Sequence, residues 1–255
     1  MKYGLQLFSV RDEAEKNYAQ MLAKVSEMGY SFVETAGYFG HSASEIRSMA
    51  DACGLKISGT HTSGDDVFDS LEATVALHKE LGCSDIVIPW ADFSTKDAVD
   101  SFIDKANRVI PLLKNEGLTL HYHNHSLELV PNADGIVPMD EIIARTDIML
   151  EVDTFWIYNS RIDPVEFIEK HKDRISTVHL KDGIESSPED FAAHANRGTQ
   201  DKALGEGNVP VRAILKKAEE LGFTVVVESE GLDPTGLCEV KRCIDYLHGI
   251  NTADQ

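Results

Sequence analysis

Four strand-like runs from residue 118 onward carry polar residues at alternate positions. In 118–125, Leu118, Leu120 and Tyr122 alternate with His121, His123 and His125. In 148–153, Ile148, Leu150 and Val152 alternate with Glu151 and Asp153. Val178 and Leu180 then alternate with His179 and Lys181, and Val225 and Val227 are set against Glu228 and Glu230. A strand of period two sends such sets to opposite faces, the apolar one outward and the polar one inward. Burying these charges together is very costly unless something compensates them. Internal ion pairing, for example Lys181 with Glu151, would account for one pair but not for carboxylates and histidines on four consecutive strands. A divalent cation is the simpler compensation.

The elements that would position these groups repeat along the chain. An amphipathic stretch, a glycine and a short strand-like run recur at Gly29, Gly54, Gly82, Gly117 and Gly222. Glycine past a helix end supplies a left-handed cap. Tyr18, Met21, Leu22, Val25 and Met28 share one helical face, as do Phe102, Ala106, Val109, Ile110 and Leu113. With the opening YGLQLF, about eight strands alternate with about eight helices, which implies parallel pairing through right-handed crossovers. The pattern predicts a single (β/α)₈ TIM-barrel domain over 1–255, with the polar residues at the carboxyl ends of its strands, where barrel active sites form. No GxGxxG follows the first strand, which disfavours a dinucleotide-binding sheet.

Six segments together carry a family resemblance: LQLFSVRDE, HYHNHSLEL (121–129), EVDTFW (151–156), VHLKD (178–182), LGEGNVP (204–210) and VVVESE (225–230). Over essentially its whole length the chain resembles the xylose-isomerase-like barrels of the sugar phosphate isomerase/epimerase family. That resemblance implies one divalent ion (Mn²⁺, Mg²⁺, Co²⁺ or Zn²⁺) held by a Glu, Asp, His, Glu set. Matching motif by motif, Asp153, His179 and Glu228 take the last three positions. Sugar epimerases carry the first glutamate on the fifth strand, where this chain has His121 to His125 instead. Either Glu128, three residues past the strand, curls back onto the metal, or His123 replaces it and Glu128 contacts substrate. Glu128 is the favoured ligand.

Proton abstraction alpha to a carbonyl suits such a site. Glu228 is assigned the base, Glu128 or His123 the partner acid/base, and Lys181 the stabilising of an enediolate. His61, Glu34, Trp156 and Gln6 are candidate substrate contacts. Gly205, Glu206 and Gly207 suggest a flexible lid. The expected reaction is isomerisation or epimerisation of a keto sugar or polyol; loss of hydroxide from the same constellation would instead make a dehydratase, as in inosose dehydratases of the family. The expected partner is that small molecule, with self-association compatible with the sequence.

Composition narrows the rest. Lys plus Arg number 24 against 43 Asp plus Glu, a formal charge of −19. Such a surface repels phosphate backbones and anionic lipid, which argues against a nuclease or membrane-surface protein. The four cysteines show no CxxC spacing, and no run approaches a membrane span. A cytoplasmic enzyme is expected.

Overall fold

The computed structural model describes residues 1–253. Eight parallel strands close into one barrel: β1 (Gly4–Gln6), β2 (Phe32–Ala36), β3 (Lys56–His61), β4 (Asp85–Ile88), β5 (Thr119–His123), β6 (Met149–Asp153), β7 (Ile175–Leu180) and β10 (Thr224–Val227). The ring runs in chain order and closes where β10 pairs with β1. An antiparallel ribbon, β8 (Asp182–Ile184) with β9 (Gln200–Lys202), follows β7 outside the ring. The strand alternation did not signal this ribbon, because each of its strands has only three residues.

The apolar half of each alternation lies under the helices, as the period-two argument requires. Tyr122 and Leu120 of β5 are buried beneath the helix Lys96–Asn115, whose Phe102 ring meets Tyr122 at 5.4 Å. Val178 of β7 and Val225 of β10 lie beneath the helix Val211–Leu221, which buries Val211, Ile214, Leu215 and Ala218. That helix ends at Gly222, whose φ of 73° is the left-handed conformation the recurrent glycines foretold.

Two irregularities bear on the site. Pairing of β2 with β3 slips between Val33 and Glu34, so that Ser58 has no partner and Glu34 lies opposite Gly59. Pairing of β6 with β7 slips between Leu150 and Glu151, leaving Ser176 unpaired and Glu151 opposite Thr177. An extra residue of this kind re-aims the side chains beyond it. Here those side chains are His61 on β3 and His179 on β7.

Candidate metal centre

The carboxyl ends of the strands surround a cavity of about 390 Å³, with Phe8, His61, Trp90, His123, His125, Glu228 and Glu230 in its wall. Four of the side chains below its mouth, His123, Asp153, His179 and Glu228, offer ligand atoms that all lie within 4.8 Å of one another. His179 Nδ1 is 2.7 Å from Glu228 Oε2, and His123 Nε2 is 4.0 Å from Asp153 Oδ2. Asp153 is placed by its own turn. Its Oδ1 accepts from Trp156 N at 3.1 Å, capping the helix Thr154–Asn159, and its backbone is pinned by both ends of the Asn124 amide. The other oxygen, Oδ2, is buried without a hydrogen-bond partner.

A second cluster lies on the other side of the same two histidines. Glu151 Oε1 is 3.2 Å from His123 Nδ1, 3.0 Å from His179 Nε2 and 3.0 Å from His61 Nε2. Glu34 Oε1 lies 2.9 Å from His61 Nε2 and 3.2 Å from His179 Nε2. The His179 nitrogen is close to both oxygens without the alignment of a hydrogen bond, and among the described residues it is otherwise unpartnered.

Neighbouring charges offset the cost of burial at His61, Glu151, Glu228 and Lys181. Burial works against a charged His61, yet Glu34 and Glu151 beside it outweigh that and raise it to about 10. Burial would push the Glu151 and Glu228 carboxyls up. His179, His123 and His61 together around Glu151, and Lys181, His179 and His123 together around Glu228, outweigh it and hold both well below the ordinary range. Lys181 is fully buried, with Nζ bonded to Glu230 and 5.0 Å from the centre of the Trp156 ring. Its burial cost is overcome by Glu230, Glu228 and Asp153, so it stays charged. His125 has no such support; burial, with His123 and Lys181 nearby, lowers it to about 3 and leaves it neutral.

Glu128 does not join the cluster. It sits in the short 3₁₀ turn Leu127–Leu129, where Oε1 accepts from the Tyr122 hydroxyl at 2.6 Å and Oε2 from His125 N at 2.8 Å. Both oxygens are therefore spent on closing the turn after β5. Glu128 thus offers no oxygen to the cluster, against the expectation that it curls onto the metal, and the β5 residue that does offer a ligand atom is His123. Gln6 and Glu34 lie below the cavity, Gln6 donating to Glu34 Oε1 and accepting from Phe8 N. Of the four candidate substrate contacts, only His61 is in the cavity wall. Trp156 is 8% exposed and packs behind His125 at 5.4 Å, whereas Trp90, which the strand pattern did not single out, is 59% exposed at the rim. Glu230 and His125, recognised above only as inward-facing, also reach the cavity.

The loop 205–207 is not built as a free lid. Asp182 Oδ1 accepts from Gly183 N and Val209 N, and Oδ2 from Gly205 N at 2.9 Å and Gly207 N at 3.0 Å. A Cβ on Gly207 would stand 2.2 Å from Asp182 Oδ1. Glycine is needed there for close approach, not for looseness.

The donor set suits a divalent ion. Two imidazoles and two carboxylates are a mixed set that Mn²⁺, Co²⁺ or Zn²⁺ accepts. Asp153 Oδ2, buried and unpartnered, is the atom whose burial cost a cation would relieve. His123, Asp153, His179 and Glu228 could thus hold the ion, with Glu228 and His123 also reaching the cavity.

A family model described as xylose isomerase-like TIM barrel matches residues 22–246. A crystal structure of a sugar phosphate isomerase/epimerase from Parabacteroides distasonis superposes with a TM-score of 0.81 at 28% identity, covering 97% of this chain and 98% of that one. An inosose dehydratase from Geobacillus kaustophilus is 21% identical over 245 residues, 83% of this chain and 79% of its own length. That of Erwinia tasmaniensis is 24% identical over 254 residues, with 85% and 83% covered.

Proposed function

The chain belongs to the xylose isomerase-like TIM-barrel family, and on that premise we propose that it is a divalent-cation-dependent lyase that removes water from a keto polyol. The observation that carries this is the position of the carboxylates. Glu228 and Glu230 both follow β10 on one side of the cavity, and Glu128 is bonded into its turn. Epimerisation by two opposed glutamates needs a second carboxylate base across the substrate, on the β5 side. A histidine, His123, stands there.

Elimination needs one base and one acid. Glu228, ionised and in the cavity wall, takes the proton from the carbon alpha to the carbonyl. The hydroxide on the neighbouring carbon leaves as water, taking a proton from His61, which is charged and also in the wall. Lys181, locked to Glu230, keeps a positive charge close to Glu228 and Asp153, which favours the enediolate. A divalent ion bound by His123, Asp153, His179 and Glu228 would polarise the substrate carbonyl and acidify the adjacent C–H.

Isomerisation or epimerisation is the second reading, favoured by the 28% identity to a structure described as a sugar phosphate isomerase/epimerase. Incubation of Mn²⁺-loaded protein with ketoses, 3-keto sugars and inososes in D₂O separates the two. A new enone absorption with loss of water supports the lyase. Deuterium uptake without loss of water supports the isomerase, and neither result with any of these substrates contradicts both.

A further inference from the structure

Buried Glu34 and Glu151, with His61 between them in the cavity wall, form a group that binding an ion at the four ligands does not itself require. Resting on the metal reading above, we infer that Glu151 is a positioning residue: it sets which ring nitrogen each ligating histidine presents, Nε2 for His123 and Nδ1 for His179.

The two imidazoles use opposite edges. His123 turns Nδ1 to Glu151 Oε1 at 3.2 Å and Nε2 toward Asp153 Oδ2 at 4.0 Å. His179 turns Nε2 toward the same Glu151 oxygen at 3.0 Å and Nδ1 to Glu228 Oε2 at 2.7 Å. One carboxylate oxygen therefore bonds the His123 ring and stands 3.0 Å from His179 Nε2, close but not aligned as a hydrogen bond, while the other nitrogens of both rings converge on Asp153 and Glu228. A ligating histidine whose free N–H meets a carboxylate is fixed in tautomer and orientation, and is the more basic ligand for it. Sharing one oxygen couples the two rings, so both tautomers depend on a single side chain.

His61 bridges Glu151 and Glu34. Its Nε2 lies 2.9 Å from Glu34 Oε1 and 3.0 Å from Glu151 Oε1. The backbone is adapted to this arrangement, since the pairing slips immediately before both glutamates. Opposite Glu34 stands Gly59, where a Cβ would come within 2.9 Å of Glu34 Oε2. His61 in this reading is the bridge between two carboxylates as well as part of the cavity wall.

The test uses the full chain and needs no substrate. Competition against a chelating dye gives the Zn²⁺ affinity and the number of ions bound. Glu151→Gln keeps the volume and removes the charge, and it should weaken affinity by about 10–100-fold, as loss of a carboxylate behind ligating histidines does. Long-range ¹H–¹⁵N correlation of ¹⁵N-histidine-labelled, Zn²⁺-loaded wild type reads the tautomers directly, even if the variant does not fold. One ligating ring should be metallated at Nε2 and protonated at Nδ1, the other the reverse. Two rings metallated at the same kind of nitrogen, or an affinity of Glu151→Gln equal to wild type, would overturn the inference while leaving the metal reading intact. Two ions per wild-type chain would also overturn it, by putting a cation among Glu34, His61 and Glu151. No ion on the wild type would remove the metal reading and this inference together.

Discussion

Glu128 and Glu228 are both buried glutamates near the barrel mouth, and their surroundings divide them between structure and chemistry. Glu228 meets His179 and the cavity; Glu128 meets a tyrosine hydroxyl and a backbone amide. With metal saturating, Glu228→Gln should lose about 10²-fold or more in C–H exchange, the usual worth of a positioned base. Deuterium exchange followed by NMR reads this. Glu128→Gln can still accept from Tyr122 but places an amide NH₂ where His125 N–H needs an acceptor. It should cost about 1–3 kcal/mol of stability, the penalty for an unsatisfied buried donor, seen as a lower denaturant midpoint. The inward set of Asp153, His179 and Glu228 was legible because strand alternation decides direction. Glu128 was not, because past Asn124 the chain turns through a 3₁₀ segment in which alternation says nothing.

At the scale of elements, the slips in strand pairing place the second cluster. Gly59 makes room for Glu34, and Gly59→Ala would put a methyl within 2.9 Å of its Oε2. We expect this variant to fold and yet bind metal several-fold more weakly, because displacing Glu34 disturbs the His61 and His179 contacts above it. Dye competition alongside a thermal melt checks both halves. The eight repeated strand–helix units were readable from glycine caps and apolar periodicity, as the capped helix at Gly222 illustrates. The slips at Ser58 and Ser176 were not readable, since a single unpaired serine leaves the hydropathy pattern unchanged. The glycines at 205 and 207 were misread as a lid for a related reason. Composition registers their freedom, but not the Asp182 carboxylate that gathers their amides.

The whole molecule carries a formal charge of −19 and buries Glu34, Glu151, Asp153 and Glu228 in one barrel interior, with Glu230 in the wall of its cavity. Bound cation should therefore stabilise the fold as well as serve chemistry. At a concentration 100 times Kd, an ion that binds only the folded state contributes about 2.7 kcal/mol. For a chain of this size that is a rise of about 5–10 °C in melting temperature. Scanning calorimetry with chelator and then with excess Mn²⁺ should show it, and identical melts would count against a resident ion. The same charge works against phosphate-rich polymers. Among the described residues, no helix is long and apolar enough to cross a membrane.

In the proposed centre His123, and not Glu128, is the ligand that joins Asp153, His179 and Glu228. Elemental analysis of dialysed, Mn²⁺-loaded protein tests it most directly. Wild type and Glu128→Gln should each hold about one ion per chain, the count for a single four-ligand site, while His123→Ala and Asp153→Asn should hold almost none with the fold intact by circular dichroism. Full loading of His123→Ala together with loss of the ion from Glu128→Gln would contradict it.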